Sequence, residues 1–204
     1  MNDRPTVFVI DDDQAVRDSL TLLLEHEDVA VKAFASAKVF LRDYRPTPRS
    51  CAIVDIRMPE MDGIQFQTEL SQRGIPLPII FLTAHGDIPL SVRAIKAGAI
   101  NFLTKPTTGS VLLESVQAAL LESSRLRSRA DDLQTAEARV ASLTQREREV
   151  MGLIVEGLHY KEIARRLGIS HRTVEIHKAR IMHKTGASSV LDLAHLAQAI
   201  GLDC

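Results

Sequence analysis

Five side chains in this sequence have the types and spacing to move a phosphoryl group: Asp11 and Asp12 in VIDDD, Asp55 in IVDIRMPEMDG, Thr83 in FLTAHGD and Lys105 in FLTKP. Carboxylates brought together must either shift their pKa values and neutralise or hold a cation. A hard divalent ion such as magnesium takes oxygen ligands, keeps several waters and leaves room for a phosphate oxygen. Asp55 then serves as nucleophile toward a phosphoryl donor, and the product is an acyl phosphate. The Thr83 hydroxyl can hydrogen-bond a phosphoryl oxygen, and the Lys105 ammonium can pair with the same charge. Asp13 has a structural use as N-cap of the first helix. Pro106 can take a cis bond that turns Lys105 into the pocket.

These residues can meet because of what precedes them. Each lies at or just past the end of a short apolar run: VFVI (7–10), CAIVD (51–55), PIIFL (78–82) and INFL (100–103), with VAVKAF (29–34) as a fifth. Runs so continuously apolar are buried on both faces, as in a parallel sheet covered by helices. Amphipathic segments near 14–26, 36–44, 62–73, 88–97 and from 109 onward supply those helices. The fold expected over residues 1–122 is a doubly wound α/β domain of (βα)5 type, whose site lies at the carboxyl ends of its strands.

Residues 123–139 are rich in helix formers and poor in apolar side chains, and are read as a helical linker. The remainder, 140–204, shows no strand pattern. Thr144 and Glu147 form a T-x-x-E capping box before a helix ending near Gly157. A second helix runs about 160–167 and breaks at Gly168; a third, capped by Ser170, stops at Gly186; a fourth follows from Ser188. The expected result is a small all-α four-helix domain.

Composition agrees with two tasks. The chain has 204 residues, 45% hydrophobic and 25% charged, with a net charge of -1. Residues 1–122 carry -4 and the rest +3, an acidic half before a mildly basic one. No basic-then-apolar leader and no membrane-length apolar run occurs, so a soluble, cytoplasmic protein without membrane contact is expected. Cys51 is read as core filler and Cys204 as a free tail thiol, since they fit no metal spacing.

The stretch YKEIARRLGISHRTVEIHKA, 160–179, has the parts of a helix-turn-helix: Ala164 where two helices touch, Gly168 at the bend and Val174 as inner anchor. On the third helix Val174, His177, Ile181 and Thr185 share the inward face, while Arg172, Ile176, Ala179 and His183 point outward. Against a major groove Ile176 can touch a thymine methyl, Glu175 can accept from a cytosine amino group, and Arg172 or Arg180 can reach guanine or phosphate. Lys161, Thr173, Lys178 and Lys184 suit phosphate contacts, with Ala179 on the same outer face. His171, His177 and His183 do not share a face, which argues against a metal site there.

VIDDD, IVDIRMPEMDG, LTAHGD and AGAINFLTKP resemble the receiver domain of two-component response regulators, over residues 5–122. LTQREREVMGLIVEGLHYKEIARRLGISHRTVEIHKARIMHKTGA resembles the LuxR/GerE-type DNA-binding domain, and the whole is similar to FixJ-type regulators. The resemblance implies that Asp55 is the phosphoacceptor, Asp12 a direct magnesium ligand, Asp11 one acting through water, and Arg57 a ligand through its backbone carbonyl. It pairs Thr83 with Phe102 as switch residues; Phe102 lacks the hydroxyl of the Tyr often found there, so its ring packing alone can report the signal. Arg57 and His85 occupy positions that tune phosphate lifetime. A dimer face is implied at Ile88, Val92, Arg93, Ile95 and Lys96, with a sensor histidine kinase, promoter DNA and RNA polymerase as partners. No catalysis is implied beyond the protein's own phosphorylation and dephosphorylation. Glu175 stands where many LuxR-type members have Lys, as in the FixJ-like subgroup, which weakens any transfer of base preference.

Two other readings stay open. Asp11-x-Asp13 also fits a haloacid-dehalogenase-like phosphohydrolase with Asp11 as nucleophile, although Ala15 stands where that family has Thr or Val. A receiver that does not switch would leave DNA binding independent of Asp55.

Overall fold

Neighbouring parallel strands cannot be joined by a tight turn, so each connection must cross the sheet, here through a helix. The computed structural model describes residues 4–84 and 87–201. His85 and Cys204 lie outside them. The chain alternates β1 (Thr6–Ile10), α1 (Gln14–Glu25), β2 (Ala30–Phe34), α2 (Ala37–Asp43), β3 (Ser50–Val54), α3 (Gly63–Gln72), β4 (Ile79–Thr83), α4 (Ile88–Lys96), β5 (Asn101–Thr104) and α5 (Gly109–Ala141). The sheet is parallel throughout, in the order β2-β1-β3-β4-β5.

Alternation along the central strands builds two cores. Phe8 and Ile10 face one side with Phe40, Phe66 and Phe81, whereas Val7 and Val9 face the other with Ile53, Leu112 and Val116. Phe40 stands edge-on to Phe8 and Phe66 at 5.2 and 5.3 Å between centroids. The edge strand β2 is less buried and exposes Lys32, a charge that discourages further strand pairing.

The chain divides into two compact units between Arg127 and Ser128. Residues 123–139 belong to α5, which is helical as far as Ala141. In the second unit follow α6 (Gln145–Val155), α7 (Tyr160–Leu167), α8 (His171–Thr185) and α9 (Val190–Ala199). Their core holds Val150, Met151, Ile154, Ile163, Val174, Ile181 and Leu193. The capping box at Thr144 and Glu147 forms, and Gly168 and Gly186 end their helices with φ of 65° and 70°. The last helix starts two residues later than expected, at Val190: Ser189 caps it, and Ser188 bonds the Asp192 carboxylate. Among the described residues no helix is long and apolar enough to cross a membrane.

Candidate functional site

The strand order reverses at β1. The chain places β2 on one side of that strand and β3 on the other, so a crevice opens beyond the carboxyl ends of β1 and β3. Ile10 and Val54 are paired in register, and the Asp55 amide donates to Ile10 O at 2.9 Å. Asp11 and Asp55 are therefore brought to the same rim one residue past the sheet. Thr83 ends β4, and its carbonyl accepts from the Lys105 amide at 2.8 Å, which brings Lys105 to the same rim.

The side chains converge. Lys105 Nζ lies 2.7 Å from Asp11 Oδ2 and 3.5 Å from Asp55 Oδ1, although both carboxylates are nearly inaccessible to solvent. Asp55 Oδ2 accepts from the Arg57 amide at 2.9 Å, and Thr83 is fully buried beside it. Burial pushes the Asp55 carboxyl above its ordinary pKa and Asp11 adds to the rise, while Lys105, the Arg57 amide and Thr83 oppose it. Asp13 caps α1 by accepting from Ala15 N, and the Lys105–Pro106 bond is cis.

Asp12 does not gather with the other two carboxylates: it is exposed, and among the described residues no three acidic, His or Cys side chains group closely enough to hold a metal. Asp11 turns inward to Lys105, whereas Asp12 sits on the bend that follows β1 and is open to solvent. Asp11 and Asp55 still fit magnesium, which is usually held by one or two carboxylates plus waters and a phosphate, and exposed Asp12, next to Asp11 in the chain, leaves a further carboxylate at the mouth.

Phe102 is half-buried, its ring 6.3 Å from that of Phe81. On α4, Ile88, Val92 and Ile95 stand exposed at helical spacing, Ile88 by 79%, beside exposed Arg93 and Lys96.

In the second unit Arg172, Glu175, Ile176, Ala179 and Arg180 of α8 are exposed, as is Lys161 of α7, while Val174, Ile181 and Thr185 are buried. Ile176 remains 44% exposed, an apolar residue facing outward among charges. Thr173 is half-buried, its hydroxyl 2.8 Å from that of Ser170, and Lys178 sits over the Tyr160 ring at 5.3 Å. His177 is half-buried and its Nδ1 has no hydrogen-bond partner among the described residues. Lys184 is exposed, and its ammonium bonds the buried Glu147 carboxylate at 2.7 Å.

Residues 7–117 match the family described as the response regulator receiver domain. The chain belongs to the response regulator family. Residues 141–197 match the bacterial regulatory proteins of the luxR family. The transcriptional regulatory protein TdiR of Thauera aromatica is 44% identical over 93% of this chain and 84% of its own length. FixJ of Azorhizobium caulinodans is 42% identical over 96% and 93%. The solved structure of the response regulator StyR superposes with a TM-score of 0.83 at 42% identity, covering 96% of this chain and 98% of that one. This response regulator is thus a two-component transcriptional regulator, with a receiver ahead of a luxR-type helix-turn-helix. The phosphohydrolase alternative gains nothing from Asp13, whose carboxylate is engaged in capping α1.

Two residues at the receiver site were missed in the sequence: Arg17, whose guanidinium reaches the backbone of the acidic turn, and Gly63, packed against the Asp55 carbonyl. MDG was visible as a motif, but nothing in it signalled how little space surrounds Gly63.

The Lys184–Glu147 pair gives the response regulator an acid-sensitive joint. The Lys184 ammonium, with the Thr144 amide, pulls the Glu147 pKa down to about 2. A carboxyl whose folded pKa is depressed stabilises the fold above its unfolded value, near 4.3, and loses that contribution as pH falls toward 2. Asp192, held by Ser188 and Ser189, also lies at about 2 and adds to the loss. Glu147→Gln is expected to lower stability by about 2 kcal/mol near neutrality. The difference from wild type should shrink as pH drops from 6 to 2.5 in thermal melts followed by circular dichroism; an equal difference at both pH values would refute it.

Proposed function

We propose that this cytoplasmic regulator accepts a phosphoryl group on Asp55 from the phosphohistidine of a sensor kinase and in that state dimerises and binds promoter DNA. The observation that carries the reading is the pairing of Asp55 with Lys105 and Thr83 at the strand switch point. An Asp55 oxygen attacks phosphorus, and the donor P–N bond breaks with its electron pair leaving on the histidine nitrogen. Lys105 then exchanges carboxylate partners for phosphoryl oxygens, and Thr83 donates to one of them. Magnesium, when bound, supplies charge neutralisation at those oxygens. Asp11, Asp55, the backbone carbonyl of Arg57, and Asp12 from the rim would hold it. The protein's own catalysis is limited to gaining and losing this phosphate.

Thr83 drawn toward the phosphate leaves room for Phe102 to repack against Phe81. The exposed face of α4, with Ile88, Val92, Arg93, Ile95 and Lys96, is the surface that this repacking reshapes for dimerisation. Residues 1–122 act as receiver, 123–139 as linker and 140–204 as output domain. Arg172, Glu175, Ile176 and Arg180 read base edges, whereas Lys161, Thr173 and Lys178 set register on phosphates, with Ala179 close to the groove wall. RNA polymerase is the partner that the bound dimer addresses.

Selection of operator sites from random DNA, with and without an acyl phosphate donor and magnesium, tests the whole reading. A two-fold symmetric site enriched with donor, together with label mapped to Asp55, is the expected outcome. Label on another residue, or identical enrichment in both arms, would overturn it.

A further inference from the structure

Arg17 lies in the first half of α1, and none of the assigned roles uses it. Its Nη1 donates to two successive backbone carbonyls, Asp11 O at 2.7 Å and Asp12 O at 2.9 Å. Asp11 has other anchors: Oδ1 accepts from Asp13 N at 2.9 Å and Oδ2 from Lys105 at 2.7 Å. Asp12 is exposed, and among the described residues its tie to the rest of the fold is the carbonyl bond to Arg17. We propose that Arg17 is a positioning residue for the divalent cation: it fixes the turn between β1 and α1 so that Asp12 stays within reach of the ion. The inference rests on the magnesium site assigned under the proposed function.

Two consequences of Arg17 oppose each other, which makes its role decidable by sign. As a positive charge beside Asp11, Asp12 and Asp13 it repels a second cation, so its removal would on Coulombic grounds tighten magnesium binding. As a brace it orders the ligand turn, so its removal would weaken binding. The guanidinium is partly in water, where salt and solvent screen the first effect. The second is unscreened, because two adjacent carbonyls lose one shared donor. Groups that orient metal ligands from behind typically contribute 10–100-fold in affinity, so the brace dominates.

Titration of the full-length protein with magnesium by isothermal calorimetry tests this, with circular dichroism melts recorded on each variant. Arg17→Ala should weaken magnesium binding by about tenfold, and Arg17→Lys, which keeps the charge and can reach one carbonyl, should fall between. Saturating magnesium should return Asp55 labelling by an acyl phosphate to nearly the wild-type rate in both. On an Asp12→Asn background the further change from Arg17→Ala should shrink to less than about twofold, as expected for residues acting as one unit. Unchanged or tighter binding by Arg17→Ala and Arg17→Lys would overturn the proposal, as would a tenfold loss that persists without the Asp12 carboxylate. A wild-type protein that binds no magnesium would instead remove the site itself, and the proposal with it.

Discussion

An Asp55→Asn protein takes up no phosphoryl label from an acyl phosphate, binds operator DNA equally well with and without donor, and is at least as stable as wild type at pH 7. The first two outcomes follow from chemistry. An amide oxygen replaces the carboxylate nucleophile without changing the shape of the side chain, so the trigger is lost while the pocket remains filled. If the switch carries the protein from mostly inactive to mostly active, the bias removed is about 5.5 kcal/mol, shared between phosphate and dimer contact. The third outcome follows from the direction of the Asp55 pKa, which burial and Asp11 raise. A carboxyl with a folded pKa above its unfolded value binds more protons in the native state, so stability falls as pH rises between the two values. Ionisation of Asp55 therefore weighs against folding, and Asn removes that burden. Phosphorylation assays, operator titrations and denaturant unfolding read the three outcomes separately. Donor-dependent operator binding by the Asn protein would place the switch elsewhere and revive the constitutive receiver.

The legibility of this site in the sequence tracked the kind of physics involved. Strand ends were readable because a buried parallel strand has to be apolar along its length and the polar residue that ends it stands out; Asp11, Asp55, Thr83 and Lys105 all meet at the rim. Capping was readable for the same local reason, at Asp13, Thr144 and Ser170. A run of identical residues does not show which of them faces inward; Asp11 and Asp12 both lie beyond the last β1–β3 pair, Ile10 with Val54, and the contact with Lys105 is what marks Asp11 as the inner one. The bond made by Lys184 is not legible in the sequence, since its partner Glu147 is 37 positions away and invisible to any local pattern. Arg17 escaped for a related reason: its bonds are to backbone carbonyls, which carry no residue identity.

Gly63→Ala should be the most damaging single methyl in the receiver. Gly63 opens α3, its amide donates to Ile56 O at 2.9 Å, and Asp62 caps the helix just before it. A Cβ there would lie 2.7 Å from the Asp55 carbonyl oxygen, 2.9 Å from Phe81 Cε1 and 3.0 Å from the Ile56 Cα. Two of those three atoms are backbone and the third belongs to a fully buried ring, so no flexible side-chain end can give way. The start of α3 or the end of β3 must move instead, and overpacking of this kind costs about 3 kcal/mol. Displacement of the Asp55 carbonyl also shifts the loop whose Arg57 amide holds the acceptor carboxylate, so labelling should slow even at temperatures where the variant is folded. Gly74→Ala separates space from conformation. Gly74 has φ of +64° with nothing within 4 Å of the added Cβ, so it should lose about 1 kcal/mol and label normally. If Gly63→Ala melts no lower than Gly74→Ala and labels at the wild-type rate, α3 does not pack against the phosphoacceptor strand as tightly as these distances require.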